Sequence, residues 1–171
     1  MKRRLAGPSA SGFSLIELLV TLALVGIVSM TALPLYEVVT TRMKEAELRQ
    51  ALRTLRGALD AYRASVDAGQ IPLTAGESGY PPSLSVLVQG VEVSARGAVT
   101  LAGQPATKRL VFLRSIPRDP FQPDPALPPE QAWATRAYAS PYDAPQPGAD
   151  VFDVASTSAR IGLNGILYKK W

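Results

Sequence analysis

Between residues 13 and 36 the chain carries one charged side chain, Glu17, in a run made mostly of Leu, Ile, Val, Ala and Met. A run of that length crosses the roughly 30 Å of a bilayer's hydrocarbon core as a helix, so a membrane-spanning segment is the first expectation. Glu17 sits inside the run and not at its edge. An unpaired carboxylate there costs several kcal/mol, which makes it a candidate functional group by position alone.

The rest of the composition narrows the chemistry. With no Cys and no His in 171 residues, the chain cannot build a Ser-His-Asp triad, a Cys nucleophile, an ordinary zinc site or a disulfide. Lys and Arg number 18 against 14 Asp and Glu, but Lys2, Arg3 and Arg4 precede the apolar run, and beyond them the balance is 15 to 14. A near-neutral remainder gives no reason to expect a nucleic-acid partner. The three leading cations instead follow the positive-inside rule, with the N-terminus cytoplasmic and the rest translocated.

Three readings compete for residues 1–36. A secretory signal peptide has a shorter apolar core and a small-residue cleavage site, which Thr31 and Ala32 imitate weakly. A plain single-pass anchor leaves Glu17 unexplained. The third reading rests on Gly12, Phe13 and the following Ser-Leu-Ile-Glu-Leu-Leu-Val, preceded by a short basic leader. That stretch resembles the class III leader of type IV pilins and type II secretion pseudopilins. The resemblance implies that prepilin peptidase cuts on the cytoplasmic side between Gly12 and Phe13 and methylates the new amine of Phe13. It also implies a helical filament in which Glu17 of one subunit meets the terminal amine of a neighbour, each offsetting the other's desolvation. Snorkelling of Glu17 to the headgroups is the plainer alternative. Pro34, near the far end of the span, predicts a kink or local melting, because it removes a helical hydrogen bond and crowds the preceding turn. Ala23, Gly26 and Ser29 either let a neighbouring helix approach closely or are ordinary membrane-helix composition.

Beyond Tyr36 the pattern becomes amphipathic. Leu48, Leu52, Leu55, Leu59, Tyr62 and Val66 recur at spacings of four and three and form one stripe of a helix. The opposite face is expected to carry Lys44, Glu45, Glu47, Arg49, Arg53, Arg56, Asp60 and Arg63, with Glu45 and Arg49 as an i, i+4 pair worth a few tenths of a kcal/mol. The stripe packs either on a coiled-coil partner or on the chain's own domain. Gly69 and Pro72 end the helix. A short helix follows at residues 84–88, opened by Ser83 and closed by Gly90, then a strand or hairpin over residues 91–101. Nine prolines fall between residues 117 and 147, so that stretch reads as loop with an edge strand near residues 133–139. Its aromatics Phe121, Trp133, Tyr138 and Tyr142 argue for order, being costly to leave in water. A strand at residues 151–154 and an Asn164-Gly165 turn with a returning strand at 166–168 complete the pattern. The expected fold is α+β: a long N-terminal helix, transmembrane in its first half and amphipathic in its second, packed on a small antiparallel sheet with Pro-rich loops.

Tyr80-Pro-Pro-Ser-Leu84, Ile116-Pro-Arg-Asp-Pro-Phe121, Phe152-Asp-Val154, Gly165 and Trp171 fall in the order seen in the major pseudopilin of type II secretion, the G component of the general secretory pathway. The resemblance implies a leader at residues 1–12, a transmembrane helix at 13–36, its amphipathic periplasmic continuation at 37–69 and a periplasmic pseudopilin domain at 70–171. It implies a non-enzymatic subunit of a secretion pseudopilus in the inner membrane of a Gram-negative bacterium. Its partners would be further copies of itself, other pseudopilins, prepilin peptidase, the inner-membrane secretion platform and membrane lipid. A type IV pilin or minor pilin for adhesion, motility or DNA uptake is the alternative; the cations Lys108, Arg109, Arg114 and Arg118 are the modest cluster that DNA uptake would use. The chain departs from the family at one place. G-type pseudopilins carry a calcium site in an acidic loop near the C-terminus, whereas residues 155–164 here hold no carboxylate and one arginine. Without a carboxylate in that stretch the resemblance does not carry that site over, and no cofactor is expected. Asp119, Asp124, Asp143, Asp150 and Asp153 remain as candidates for paired-carboxylate chemistry, in a setting that offers no rigid pair.

Overall fold

The structure is a computed structural model that describes residues 12–99 and 105–171. All of the expected leader except Gly12 lies outside the described residues, as do residues 100 and 101 of the expected hairpin. The fold is α+β, with helix α1 at Leu15–Asp67, α2 at Leu84–Gln89 and, among the described residues, four strands, β1 at Val91–Val99, β2 at Pro105–Leu110, β3 at Trp133–Arg136 and β4 at Asp153–Ser156. Contacts within the chain divide it into two units, Met1–Thr41 and Arg42–Trp171.

In the first unit the helix is apolar and uncovered. Its most hydrophobic window is wholly unburied within the chain, with Leu15, Ile16, Leu22, Val25, Ile27, Val28 and Met30 all exposed. Such a surface requires lipid or other helices around it. Its hydroxyls turn inward, Thr21 Oγ1 donating to the Leu18 carbonyl at 3.0 Å and Ser29 Oγ to that of Val25 at 2.8 Å. Back-bonding of this kind satisfies a hydroxyl where no water is available. Pro34 lies inside α1, and helical backbone continues on both sides of it.

The second unit packs on the amphipathic part of α1. Leu48, Leu52, Leu55, Leu59, Tyr62 and Val66 are all buried, together with Ala51 and Ala58, which widen the stripe. They meet Ile71, Leu84, Leu87, Val93, Leu113, Phe121, Trp133, Val151, Val154 and Tyr168 in one core. Full burial of each leucine contributes about 1.5–3 kcal/mol, so the stripe is the chief support of this unit. The face belongs to the chain's own domain and not to a coiled-coil partner.

The expected single sheet is in fact two separate antiparallel ribbons, β1 with β2 and β3 with β4. The first pairs Val91 with Leu110 and Ser94 with Thr107, then shifts register before Val99 pairs with Pro105. The second pairs Trp133 with Ser156 and Arg136 with Asp153. Proline density explains the separation. Each proline lacks a donor, and the segment between the ribbons is too proline-rich to supply a bridging strand. β4 begins two residues later than expected, since Val151 N–H is committed to the Pro81 carbonyl at 2.8 Å. The returning strand after Asn164-Gly165 is replaced by one bridge between Ile161 and Leu167 and a 3-10 turn at Tyr168–Lys170.

Two smaller expectations also change. Ser83 takes the extended N-cap conformation of α2, but its hydroxyl faces that of Ser85 at 2.7 Å and does not cap the helix. Gly90 closes α2 at φ 75°, where a Cβ would stand 2.6 Å from the Leu110 carbonyl oxygen, so both conformation and close approach require glycine. Of the four aromatics in the Pro-rich stretch, Phe121 and Trp133 are buried as expected, while Tyr138 and Tyr142 remain exposed at 58% and 89%.

Candidate functional site

Gly12, Phe13 and Ser14 precede the first turn of α1, and Glu17 lies within that turn. Leu18 N–H donates to the Ser14 carbonyl at 3.2 Å, so helical hydrogen bonding begins just behind Phe13. Phe13 is 81% exposed and Glu17 is exposed as well. Among the described residues Glu17 has no ion-pair or hydrogen-bond partner. A carboxylate in a first turn gains about 0.3–1 kcal/mol from the unpaired N–H groups of the helix end, well short of what burial in hydrocarbon costs it. The deficit is what a cation from outside the subunit would offset.

Sequence reasoning missed a second acidic residue. Glu45, expected on the polar face, is 4% exposed and lies on the core face of α1. Its Oε1 accepts from the Leu163 N–H at 2.6 Å and from the Tyr168 hydroxyl at 3.1 Å, while Oε2 faces the Arg49 guanidinium at 3.5 Å. The signal was present: three residues back from Leu48, the stripe's own alternation of three and four lands on Glu45. Its acidic identity concealed this, because a carboxylate is rarely buried without partners, and the partners are 118 and 123 residues away in sequence.

Arg49, Arg56 and Arg63 recur every seven residues beside the stripe and fasten segments beyond the helix, Arg49 and Arg56 both reaching Trp171. Arg49 lies over the Trp171 ring, 4.6 Å from its centroid. Arg56 donates to Asp153 Oδ1 at 2.8 Å, to the Val154 carbonyl at 3.1 Å and to the Trp171 backbone oxygen at 2.8 Å. Arg63 bonds Asp67 and the Ser78 carbonyl and stacks near Tyr80. The planar guanidinium, with five donors, suits such divided duty.

Four of the five candidate aspartates hold structure: Asp119 and Asp124 close local turns, while Asp150 and Asp153 tie distant segments. Asp119, 3% exposed, accepts from Phe121 N–H at 2.8 Å and from the Ser156 hydroxyl at 2.5 Å. Asp124 accepts from Ala126 N–H and Asp150 from Tyr138 N–H, both at 2.8 Å, and Asp153 takes Arg56. In the basic cluster, Arg109 pairs with Glu92 at 3.3 Å and Arg118 donates to the Pro125 carbonyl at 2.7 Å. Among the described residues no group of three Asp or Glu side chains is gathered as a metal would need.

Burial raises the phenol of Tyr168 above its ordinary value of 10.0, and its hydrogen bond to Glu45 raises it further. Tyr62 is raised by burial and then by Glu77, and Tyr80 by burial against an opposing effect of Arg63. Unfolded tyrosines lose their protons near pH 10 while these three keep theirs. Their contribution to stability is therefore full below about pH 10 and lost as pH rises above it towards the folded values. Thermal midpoints should stay level from neutrality to that point and then fall. Tyr168→Phe should start lower and fall less steeply; a slope equal to that of the unaltered chain would contradict the assignment.

Compared with known families, residues 8–33 match the model described as the prokaryotic N-terminal methylation motif. The matched stretch contains Gly12, Phe13, Glu17 and most of the apolar run, and it supports a type IV pilin-like family. Such a motif indicates a pilin-type substrate of prepilin peptidase. Neither the curated proteins nor the solved structures gave a match.

Proposed function

We propose, taking a pilin-type N-terminus as the premise, that this chain is the structural subunit of a type II secretion pseudopilus. Prepilin peptidase removes residues 1–12 between Gly12 and Phe13 and methylates the Phe13 amine. The subunit waits in the inner membrane with residues 13–36 across the bilayer and the segments 37–69 and 70–171 in the periplasm. It then polymerises with further copies and with other pseudopilins on the secretion platform, driving folded proteins outward. Glu17 pairs with a neighbour's methylated amine, and Pro34 supplies a kink near the end of the span. The chain performs no catalysis and needs no cofactor. Calcium has no part in this reading, because hard cations need oxygen ligands and the carboxylate-free loop at 155–164 has its polar side chains engaged: Ser158 Oγ accepts from Arg160 N–H and Asn164 Oδ1 from Ile166 N–H.

The observation that carries the proposal is the methylation motif joined to a lone carboxylate in the first turn of an apolar, uncovered helix. Mass spectrometry of protein extracted from membranes is expected to find N-methylated Phe13 as the first residue. An intact leader in cells with active peptidase would refute the proposal. Deletion of the gene separates secretion from pilus function: secreted enzymes retained in the periplasm fit a pseudopilus, and loss of surface fibres or twitching assigns the chain to a pilus.

A further inference from the structure

The loop that lacks the calcium ligands carries a different set of side chains. Residues 155–171 include Arg160, Lys169 and Lys170 and no Asp or Glu. All three cations are exposed, and among the described residues none has an ion-pair partner. The same segment leaves Ile161, Leu163 and Ile166 exposed at 66%, 49% and 48%. Surface aliphatics placed singly need no explanation, but three within six residues of one tight loop do.

The loop is also held in place. Gly162 N–H donates to the Ile166 carbonyl at 2.9 Å, Gly165 N–H to that of Gly162 at 2.9 Å, and Tyr168 N–H to that of Arg160 at 3.1 Å. Glu45 grips the Leu163 N–H from below at 2.6 Å. A Cβ on Gly162 would stand 2.8 Å from the Trp171 ring and 3.0 Å from Glu45 Oε1, so the loop lies tight against that carboxylate. The aliphatic side chains are thus presented on fixed backbone.

We infer that this loop is a contact for an anionic bilayer surface, its aliphatic tip entering the headgroup boundary while Arg160, Lys169 and Lys170 meet lipid phosphates. The inference rests on the reading that residues 13–36 span the membrane. Chain length then limits where the loop can go: Glu45 is nine residues beyond Tyr36, at most about 30 Å even if fully extended. Aliphatic side chains flanked by cations without intervening acids are the composition of interfacial segments. Each cation near an anionic surface changes occupancy of the docked state by about fivefold. Contact of this kind would hold the folded unit against the membrane before assembly, in the place where the family uses an acidic loop.

The absence of native cysteine makes the test direct. The full chain carrying Leu163→Cys, Ile27→Cys or Ala139→Cys, each labelled with an environment-sensitive fluorophore, is placed in nanodiscs of phosphatidylcholine with or without phosphatidylglycerol. Lipids bearing quenchers at shallow or deep positions then report depth. The label at 163 should be quenched by shallow lipid several-fold more than the label at 139, and Lys169→Gln with Lys170→Gln, added salt, or loss of phosphatidylglycerol should reduce that quenching. The label at 27 should respond to deep quenchers throughout. A label at 163 that stays in water while that at 27 is quenched overturns the contact and leaves the spanning segment standing. An unquenched label at 27 overturns the spanning segment itself. Protection at 163 that grows with protein per disc and ignores lipid charge assigns the loop to a second copy of the chain, and the inference fails.

Discussion

Glu45→Ala should lower the thermal midpoint of the folded C-terminal unit by roughly 10 °C, the effect expected of about 3 kcal/mol in a unit of this size. The magnitude follows from what the carboxylate holds. Hydrogen bonds to a charged acceptor contribute about 1.5–3 kcal/mol each, and a buried donor left alone bears a desolvation cost of similar size. Alanine would strand the Leu163 N–H and the Tyr168 hydroxyl together, both now within 3.1 Å of Oε1. The pair with Arg49 adds little, since that arginine side chain is 49% exposed and the separation is 3.5 Å. Arg49→Ala should therefore cost about 1 kcal/mol or less, most of it from lost contact with the Trp171 ring. Glu45→Gln should fall between the two, keeping an acceptor but not the charge. A midpoint for Glu45→Ala within roughly 2 °C of the unaltered chain would show that the loop is held by its own turns and not by the helix.

Glu17→Ala should leave insertion into the membrane intact and abolish assembly. Insertion gains from the change, because a carboxylate within a membrane helix is unfavourable by about 3 kcal/mol on insertion scales. On the proposed pairing, assembly loses, because the alanine would leave a neighbour's terminal cation in hydrocarbon without its partner, and breaking a buried pair in this way costs about 3–5 kcal/mol. At about 1.4 kcal/mol per factor of ten, subunit addition would weaken by a hundredfold or more. Cross-linking between subunits in isolated membranes, compared at equal expression, measures the loss. Glu17→Gln should fail in the same way, since it keeps the shape and removes the charge. Filaments formed at normal yield by either variant would exclude pairing with the amine, leaving Glu17 as a residue that merely reaches for the headgroups.

The two acidic residues differ in how far the sequence reveals them. Glu17 is conspicuous because its neighbours are uniformly apolar, and a single charge in such a run has few explanations. Glu45 is concealed among Lys44, Glu47 and Arg49, where a charge is the ordinary choice. Arg56 and Arg63 are concealed in the same manner: each is a solvated-face residue by type, and each reaches sideways to backbone oxygens of distant loops. The aspartates erred in the other direction. Considered together they invite comparison with catalytic carboxylates, yet four of them accept structural hydrogen bonds from backbone N–H groups, Ser156 or Arg56.

By itself the sequence determined the α+β class, the apolar helix with its one carboxylate, the methylation motif over residues 8–33, and the stripe from Leu48 to Val66. Each is a local property, set by residue type and by a helical period that needs no knowledge of distant neighbours. Tertiary structure alone decided that the strands form two ribbons and not one sheet, that the final turn returns through a 3-10 segment and not a strand, and which groups meet the Glu45 carboxylate. The ribbons and the final turn depend on pairings up to 23 positions apart, and the Glu45 contacts on partners 118 and 123 positions away. Nothing in the local pattern at Glu45 indicates that a Leu163 N–H and a Tyr168 hydroxyl will be waiting for it, and only the folded chain brings them there.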